Sequence, residues 1–316
     1  MKMASQLSQA FPPAPKFTEE SVPDLTSKVY IVTGASAGVG KELARLLYSR
    51  NGTVYVAARS AEKANTAISW IKERHPNATG QLHFLKLDLN DLGGIKSSAE
   101  EFLSKEQRLD VLFNNAGVMM PPQGSKTEQG YELQIGTNCL APFLFTKLLT
   151  PLIVQTAKSS PPGSIRVAWV SSSAAEVVAP RGGVDMDNLD YKKDQSATTK
   201  YAISKAGNVL HAIEYQRRHK NDGVVSTALH PGLLKSELTR HSGTLLSLLS
   251  RPFQHKPVYG AYTELFVGLA PEAANLKEGD WVIPWGRIVE VRKDLVADGK
   301  AGPFWEWSEK QVEPYA

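Results

Sequence analysis

Cysteine is nearly missing from this chain: Cys139 is the single one in 316 residues. One thiol cannot form an intramolecular disulfide or build a cysteine-rich zinc or iron-sulfur site. A reducing, cytoplasmic setting is the expectation that follows. The seven histidines are scattered without metal-ligand spacing, so no metal is predicted. An excess of one charge is lacking too. Lys and Arg number 36 against 32 Asp and Glu, a net +4, which is too weak over a surface this large to mark a nucleic-acid partner. No continuous run approaches the ~20 apolar residues of a membrane span. The N-terminal stretch, punctuated by Pro12, Pro13, Pro15 and Pro23, lacks the apolar core of a secretory signal. It reads as an extended arm over residues 1–24. The glycosylation tripeptides at Asn51 and Asn77 therefore carry no weight. What is present is a globular balance, 42% hydrophobic and 22% charged residues, long enough to bury a large core.

Short apolar runs alternate with amphipathic stretches. Strands are predicted over Lys28 to Thr33, Thr53 to Ala58, Leu82 to Leu87, Leu109 to Phe113, Ile165 to Val170 and Gly223 to Leu229. Helices are predicted over Lys41 to Tyr48, Glu62 to Arg74, Leu92 to Leu103, Tyr131 to Val154 and Thr199 to His219. The alternation predicts an α/β, doubly wound Rossmann fold whose mostly parallel central sheet carries helices on both faces. No linker divides it, so residues 25–316 are expected to be one domain. Ligands in such sheets bind beyond the carboxyl ends of the strands. Two segments outside the pattern follow such ends, the turn-rich residues 174–198 and the leucine-containing residues 236–257. Both are expected to wall the site, the second as a substrate lid. Its Leu245, Leu246, Leu248, Leu249 and Phe253 either line an apolar pocket or form a helix packed on the domain. Residues 281–316 read as a C-terminal extension.

Between the first strand and its helix stands Thr33-Gly34-Ala35-Ser36-Ala37-Gly38-Val39-Gly40. Glycines there permit a sharp turn, close approach of a pyrophosphate and presentation of helix N-terminal amides to its charge. The spacing differs from the usual Gly-x-Gly-x-x-Gly, and a tight turn without a ligand is the plainer alternative. A phosphate-binding loop of a nucleoside triphosphatase would need glycine at Ala35 and a hydroxyl at Glu42, so that reading fails. At the end of the second strand an NAD site usually carries an acid for the ribose 2′-hydroxyl, and an NADP site an arginine. Here Ala58 stands in the acid's place and Arg59 follows, which favours NADP. Asp88 suits either the adenine edge or a helix cap.

Tyr201 and Lys205 are four residues apart near the start of a predicted helix, hence on one face. An ammonium beside a phenol favours phenolate, so the pair can exchange a proton with an alcohol or carbonyl. Tyr-x3-Lys alone arises by chance in many helices. Its company makes it specific: Thr33 to Gly40, Asp88-Leu89, Asn114-Asn115-Ala116-Gly117, Asn138, Val170-Ser171-Ser172, Tyr201-x3-Lys205 and Pro231-Gly232 follow one another in that order. On these motifs, over roughly residues 28 to 240, the chain resembles the short-chain dehydrogenase/reductase family. The long interval from Ser172 to Tyr201 and the segment Ala202 to Asn208 are similar to its retinol-dehydrogenase-like and protochlorophyllide-reductase-like branch. The stretch Trp281 to Trp307 is similar to fungal members of that branch.

The resemblance implies an NADP(H)-dependent oxidoreductase of CH–OH groups and their carbonyls, a carbonyl reductase of a lipophilic small molecule in secondary metabolism. Tyr201 would be the general acid/base and Lys205 the group that lowers its pKa and holds the nicotinamide ribose. Ser172 would bond the substrate oxygen, with Ser171 or Ser173 as fallback, and Asn138 would hold a relay water near Lys205. Cofactor contacts carried over are Gly34, Ser36, Ala37, Gly38, Val39, Gly40, Asp88, Leu89, Asn115, Ala116, Gly117, Asn138, Tyr201, Lys205, Pro231, Gly232, Leu234 and Ser236, beside Arg59. Asn115 has a sheet-stabilising alternative, and Ser236 replaces the family's usual threonine. A homodimer or homotetramer built on the two longest helices is also implied. The rival readings are a non-catalytic dinucleotide-binding regulator, which would be expected to lose Tyr201 or Lys205, and an enzyme held at a membrane surface by residues 245–253. His230 and Cys139 read as structural.

Overall fold

The computed structural model describes residues 7–235 and 254–316. Its core is a single eight-stranded sheet of β1 (Val29–Thr33), β2 (Thr53–Ala58), β3 (Gln81–Lys86), β4 (Val111–Asn114), β5 (Ile165–Val170), β6 (Val224–Leu229), β7 (Asp280–Ile283) and β8 (Arg287–Glu290). The order is β3-β2-β1-β4-β5-β6-β7-β8, and every pairing is parallel except the last, between β7 and β8. The central strands β1, β4, β5 and β6 are buried along their whole length, which is why they read as continuous apolar runs rather than alternating ones. The principal helices are α1 (Gly38–Ser49), α2 (Ala61–Arg74), α3 (Ile95–Lys105), α4 (Ala141–Lys158), α5 (Ala197–His219), α6 (Pro257–Leu269) and α7 (Ala301–Val312). Alternate residues of one strand face opposite layers. Ile31 packs with the residues of α3, α4, α5 and α7, whereas Tyr30 and Val32 pack with those of α1, α2 and α6.

Three expectations change. The C-terminal stretch is not an appendage, because β7 continues the sheet beside β6 and Val282 O accepts from His230 N at 2.9 Å. The N-terminal arm is not extended. Leu7 to Ala10 form a helical turn, Phe17 meets Phe266 edge-on at 6.1 Å, and Phe17, Val22 and Leu25 are buried in the core. These apolar anchors between the prolines draw the arm onto α6. Finally, the continuous helix Leu133–Lys158 is long and apolar enough to cross a membrane, although 72% of that window is buried inside the fold. Its apolar length covers the sheet.

Candidate active site

The loops after β4, β5 and β6 open on a cavity of about 380 Å3 whose lining includes Val39, Gly117, Ser172, Tyr201, Lys205 and Pro231. At its cofactor end, α1 begins at Gly38 with Ala37 as N-cap, and no side chain caps the helix. The first-turn amides are left for an anion. Gly38 has φ +56° with nothing near the place a Cβ would take, whereas at Gly40 a Cβ would lie 2.5 Å from Asn115 Nδ2. The turn thus offers a concave backbone on one side and tight packing on the other. Ser36 and Val39 lie half-buried along it.

Asn115 takes the structural alternative. Its Nδ2 donates to Thr33 O at 2.6 Å, and Ala116 N donates to Thr33 Oγ1 at 2.9 Å, so the loop after β4 is tied to the end of β1. Arg59 is exposed directly after β2, and Ser60 rather than an acid follows as cap of α2. Asp88 Oδ1 accepts from Asn90 N at 2.9 Å, a local turn bond that leaves its other oxygen available. Leu89 is buried in the core, so its backbone alone is free for a ligand. Leu234 is buried against α6, where a Cβ on Gly260 would strike its side chain at 2.4 Å. Gly232, at φ +95°, turns the chain over Trp285. Ser236 and the lid leucines from 238 to Phe253 lie outside the described residues. The two described ends of that segment are joined, since Lys235 N donates to His255 O at 2.9 Å.

The resemblance favours Ser172 with Ser171 or Ser173 as fallback, and the bonds of the three differ. Ser171 is buried and donates to Lys205 O at 2.6 Å. Ser173 opens the short helix Ala174–Val177. Ser172 pairs with the Tyr201 phenol. Lys205 donates from Nζ to Val170 O at 2.9 Å and lies 5.9 Å from the Tyr201 ring centre. Gly117 must be small here, as a Cβ would sit 3.1 Å from Lys205 Nζ and 3.0 Å from Asn138 Oδ1.

Asn138 stands on a π-helical turn, Gly136–Leu140, a local widening frequent at functional sites. Its Oδ1 accepts from Val118 N at 2.8 Å, and its Nδ2 donates to Val118 O and Ser204 Oγ, both at 2.9 Å. Both amide hydrogens are therefore used. The side chain braces the β4 loop against α5, and its Oδ1, which accepts one bond, keeps a second lone pair.

Burial sets the electrostatics. It depresses Lys205 to about 8, and it raises Tyr201 above its ordinary value while the bond from Ser172 pulls the other way. On Tyr201 burial outweighs the bond from Ser172, and the Lys205 ammonium is turned to Val170 O. His230 lines the cavity neutral, depressed to about 4 by burial, and its Nδ1 accepts from Gly232 N. The Cys139 thiol is pushed up by burial and donates to Ser204 O, so it is no nucleophile. Of residues 174–198 only the start reaches the cavity, at Val177. The rest is pinned to the C-terminal region by Arg181 with Asp298 and by Lys300 with Val184 O.

Residues 28–184 match the family described as short chain dehydrogenase. A short-chain dehydrogenase/reductase of Phomopsis amygdali is 53% identical over 98% of this chain and 96% of its own. The chain belongs to the short-chain dehydrogenase/reductase family. Among solved structures, an uncharacterized protein from Mycobacterium Paratuberculosis superposes with TM-score 0.70 at 28% identity, covering 94% of this chain and 97% of that one. RhlG of Pseudomonas aeruginosa, solved as an NADP active-site complex, shares the fold with TM-score 0.65 at 22% identity over 86% and 97% of the two chains. As a family member the protein is an oxidoreductase with a nicotinamide dinucleotide cofactor. The uncapped start of α1 and the concave turn at Gly38 fit the diphosphate, and Tyr201 and Lys205 line the same cavity.

The sequence reading missed three parts of this site. Gln9 and Ala10 line the cavity, and no signal in a proline-broken arm points to them. Val118 and Met119 line it as well, as neighbours of the recognised Asn-Asn-Ala-Gly segment. Glu264 on α6 is fully buried, neither carboxylate oxygen has a hydrogen-bond partner, and burial raises it to about 8 against the pull of Lys205.

Proposed function

We propose that the protein is an NADPH-dependent carbonyl reductase of a lipophilic small molecule, a fungal secondary metabolite of polyketide, steroid or retinoid type. One observation carries the reading: Tyr201 and Ser172 pair beside Lys205 in a cavity walled by Val39, Val118, Met119, Val177 and Leu233. NADPH, when bound, supplies the hydride. The protein's own residues do the rest. Ser172 holds the carbonyl oxygen and Tyr201 donates a proton to it as negative charge develops. The phenol, raised by burial, holds the proton that carbonyl reduction consumes. Lys205, mostly charged below about 8, favours the tyrosinate left behind. Arg59, exposed and next to no acid at Ala58, supports NADP over NAD as the 2′-phosphate partner. A cytoplasmic location and membership of the retinol-dehydrogenase-like branch belong to the same proposal.

The test follows NADPH and NADH oxidation against lipophilic aldehydes and ketones. Tyr201→Phe is expected to lower turnover by at least ~10²-fold, and Arg59→Asp to remove the preference for NADPH. Undiminished turnover by Tyr201→Phe would sink the mechanism. Equal use of both cofactors by parent and Arg59→Asp would remove the NADP assignment.

A further inference from the structure

The arm brings one polar side chain into a cavity whose other polar groups are largely engaged. Asn115 is tied to Thr33, Ser171 to Lys205 O, and His230 to Gly232 N. Ser172, Tyr201 and Lys205 belong to the reaction. Gln9 also lines the cavity, although it lies far from these residues in sequence and is itself 6% exposed. Its position is fixed from both sides. Arg287 on β8 donates from Nη2 to Ser8 O at 2.6 Å, and His255 Nε2 lies 3.5 Å from Ala10 O.

The Gln9 amide is also oriented. Its Nε2 donates to Glu176 Oε2 at 3.2 Å. A carboxylate only accepts, so the nitrogen must face it, and the amide oxygen is what remains for the cavity. Burial raises Glu176 above the usual carboxylate value, while the bond from Gln9 and the nearby Arg292 charge pull it back toward the carboxylate. Among the described residues Gln9 Oε1 has no hydrogen-bond partner. An acceptor on the wall of a mostly apolar cavity discriminates between ligands that do and do not satisfy it.

We infer that Gln9 is a specificity-determining residue, whose oxygen accepts a hydrogen bond from a hydroxyl or N–H on the part of the substrate remote from the reacting carbonyl. The substrate class narrows to lipophilic carbonyl compounds that carry such a donor. This rests on the reductase reading above, since it takes the cavity for the substrate site.

The probes are 2-tetralone and its 6-hydroxy and 7-hydroxy derivatives, bicyclic ketones differing by one distal hydroxyl. Their binding to the NADP+-loaded enzyme is measured by calorimetry, and NADPH oxidation is followed in parallel. The parent is expected to bind at least one hydroxylated ketone about tenfold tighter than 2-tetralone, and Gln9→Leu to bring that ratio close to one. Glu176→Leu leaves Gln9 in place with its amide released, and the ratio is expected to fall part of the way. No preference in the parent, or a preference that survives Gln9→Leu, overturns the inference. Binding preference that follows Gln9 without turnover of any ketone leaves this assignment standing and removes the reductase reading. Turnover with a preference indifferent to Gln9 does the reverse.

Discussion

Lys205 is the residue whose charge most directly links pH to chemistry here. Burial holds it at about 8, well below a free lysine, so raising the pH through that value discharges the ammonium beside Tyr201. The rate of carbonyl reduction, read as kcat/KM, is expected to fall on the alkaline side of about 8. Lys205→Met is expected to be far slower and to lack that limb. A parent profile flat to pH ~10, the range of an unperturbed lysine, would contradict the burial argument. Much of this residue-scale picture was legible in sequence, because Tyr201 and Lys205 are neighbours on one helix face and need little tertiary context. The choice of Ser172 over Ser171 came from the resemblance alone. It depends on which hydroxyl β5 turns inward to Lys205 O, and three consecutive serines carry no such direction. The sign of the Tyr201 shift was hidden for a related reason, since burial is a property of the closed pocket.

At the scale of elements, α6 holds the least expected group. Glu264 is a carboxyl with no partner, neutral in the folded protein up to about 8. Its ordinary value is 4.5, so between 4.5 and about 8 the unfolded chain gives up this proton and the folded one keeps it. Stability then falls as pH rises across that window, by about 1 kcal/mol per pH unit from this group alone. Glu264→Gln removes the titration. It is expected to raise the urea midpoint at pH 8 more than at pH 5, and an equal effect at both would count against a neutral buried acid.

The sequence passes over α6 for the reason that makes it tight. Gly260 and Gly268 let it press on Leu234 and Phe113, and burial on most sides erases the apolar-polar period that marks a surface helix. Strand β7 is only four residues, Asp280–Ile283, too short to show a period. The six earlier strands lie within two residues of their predicted starts, and all but the four-residue β4 are longer apolar runs bounded by turns.

For the whole molecule, α7 bears on assembly. The resemblance implied an oligomer built on the two long helices, but α7 covers much of the face they share. Phe304 stacks on His211 at 4.8 Å, Trp305 meets Phe143 edge-on at 4.7 Å, and Ser308 bonds His211 Nε2 at 2.9 Å. With this surface occupied by the chain's own C-terminal helix, the parent is expected to elute as a monomer with a monomer's light-scattering mass. Deleting residues 301–316 uncovers Phe143, His211 and Tyr215 and is expected to produce self-association. A stable parent dimer would show that another face carries the contact.

Because β6 pairs with β7, the chain cannot complete this edge of its sheet until residues past Ile283 have been synthesised. Residues Val224–Leu229 wait through the translation of residues 230–256 and α6 with one edge unpaired, and such edges invite pairing with other chains. The Pro231-Gly232 turn of the active site hangs from that same strand. The nascent protein is therefore at its most aggregation-prone just before it becomes an enzyme, and holding chaperones should matter most at that stage of its production.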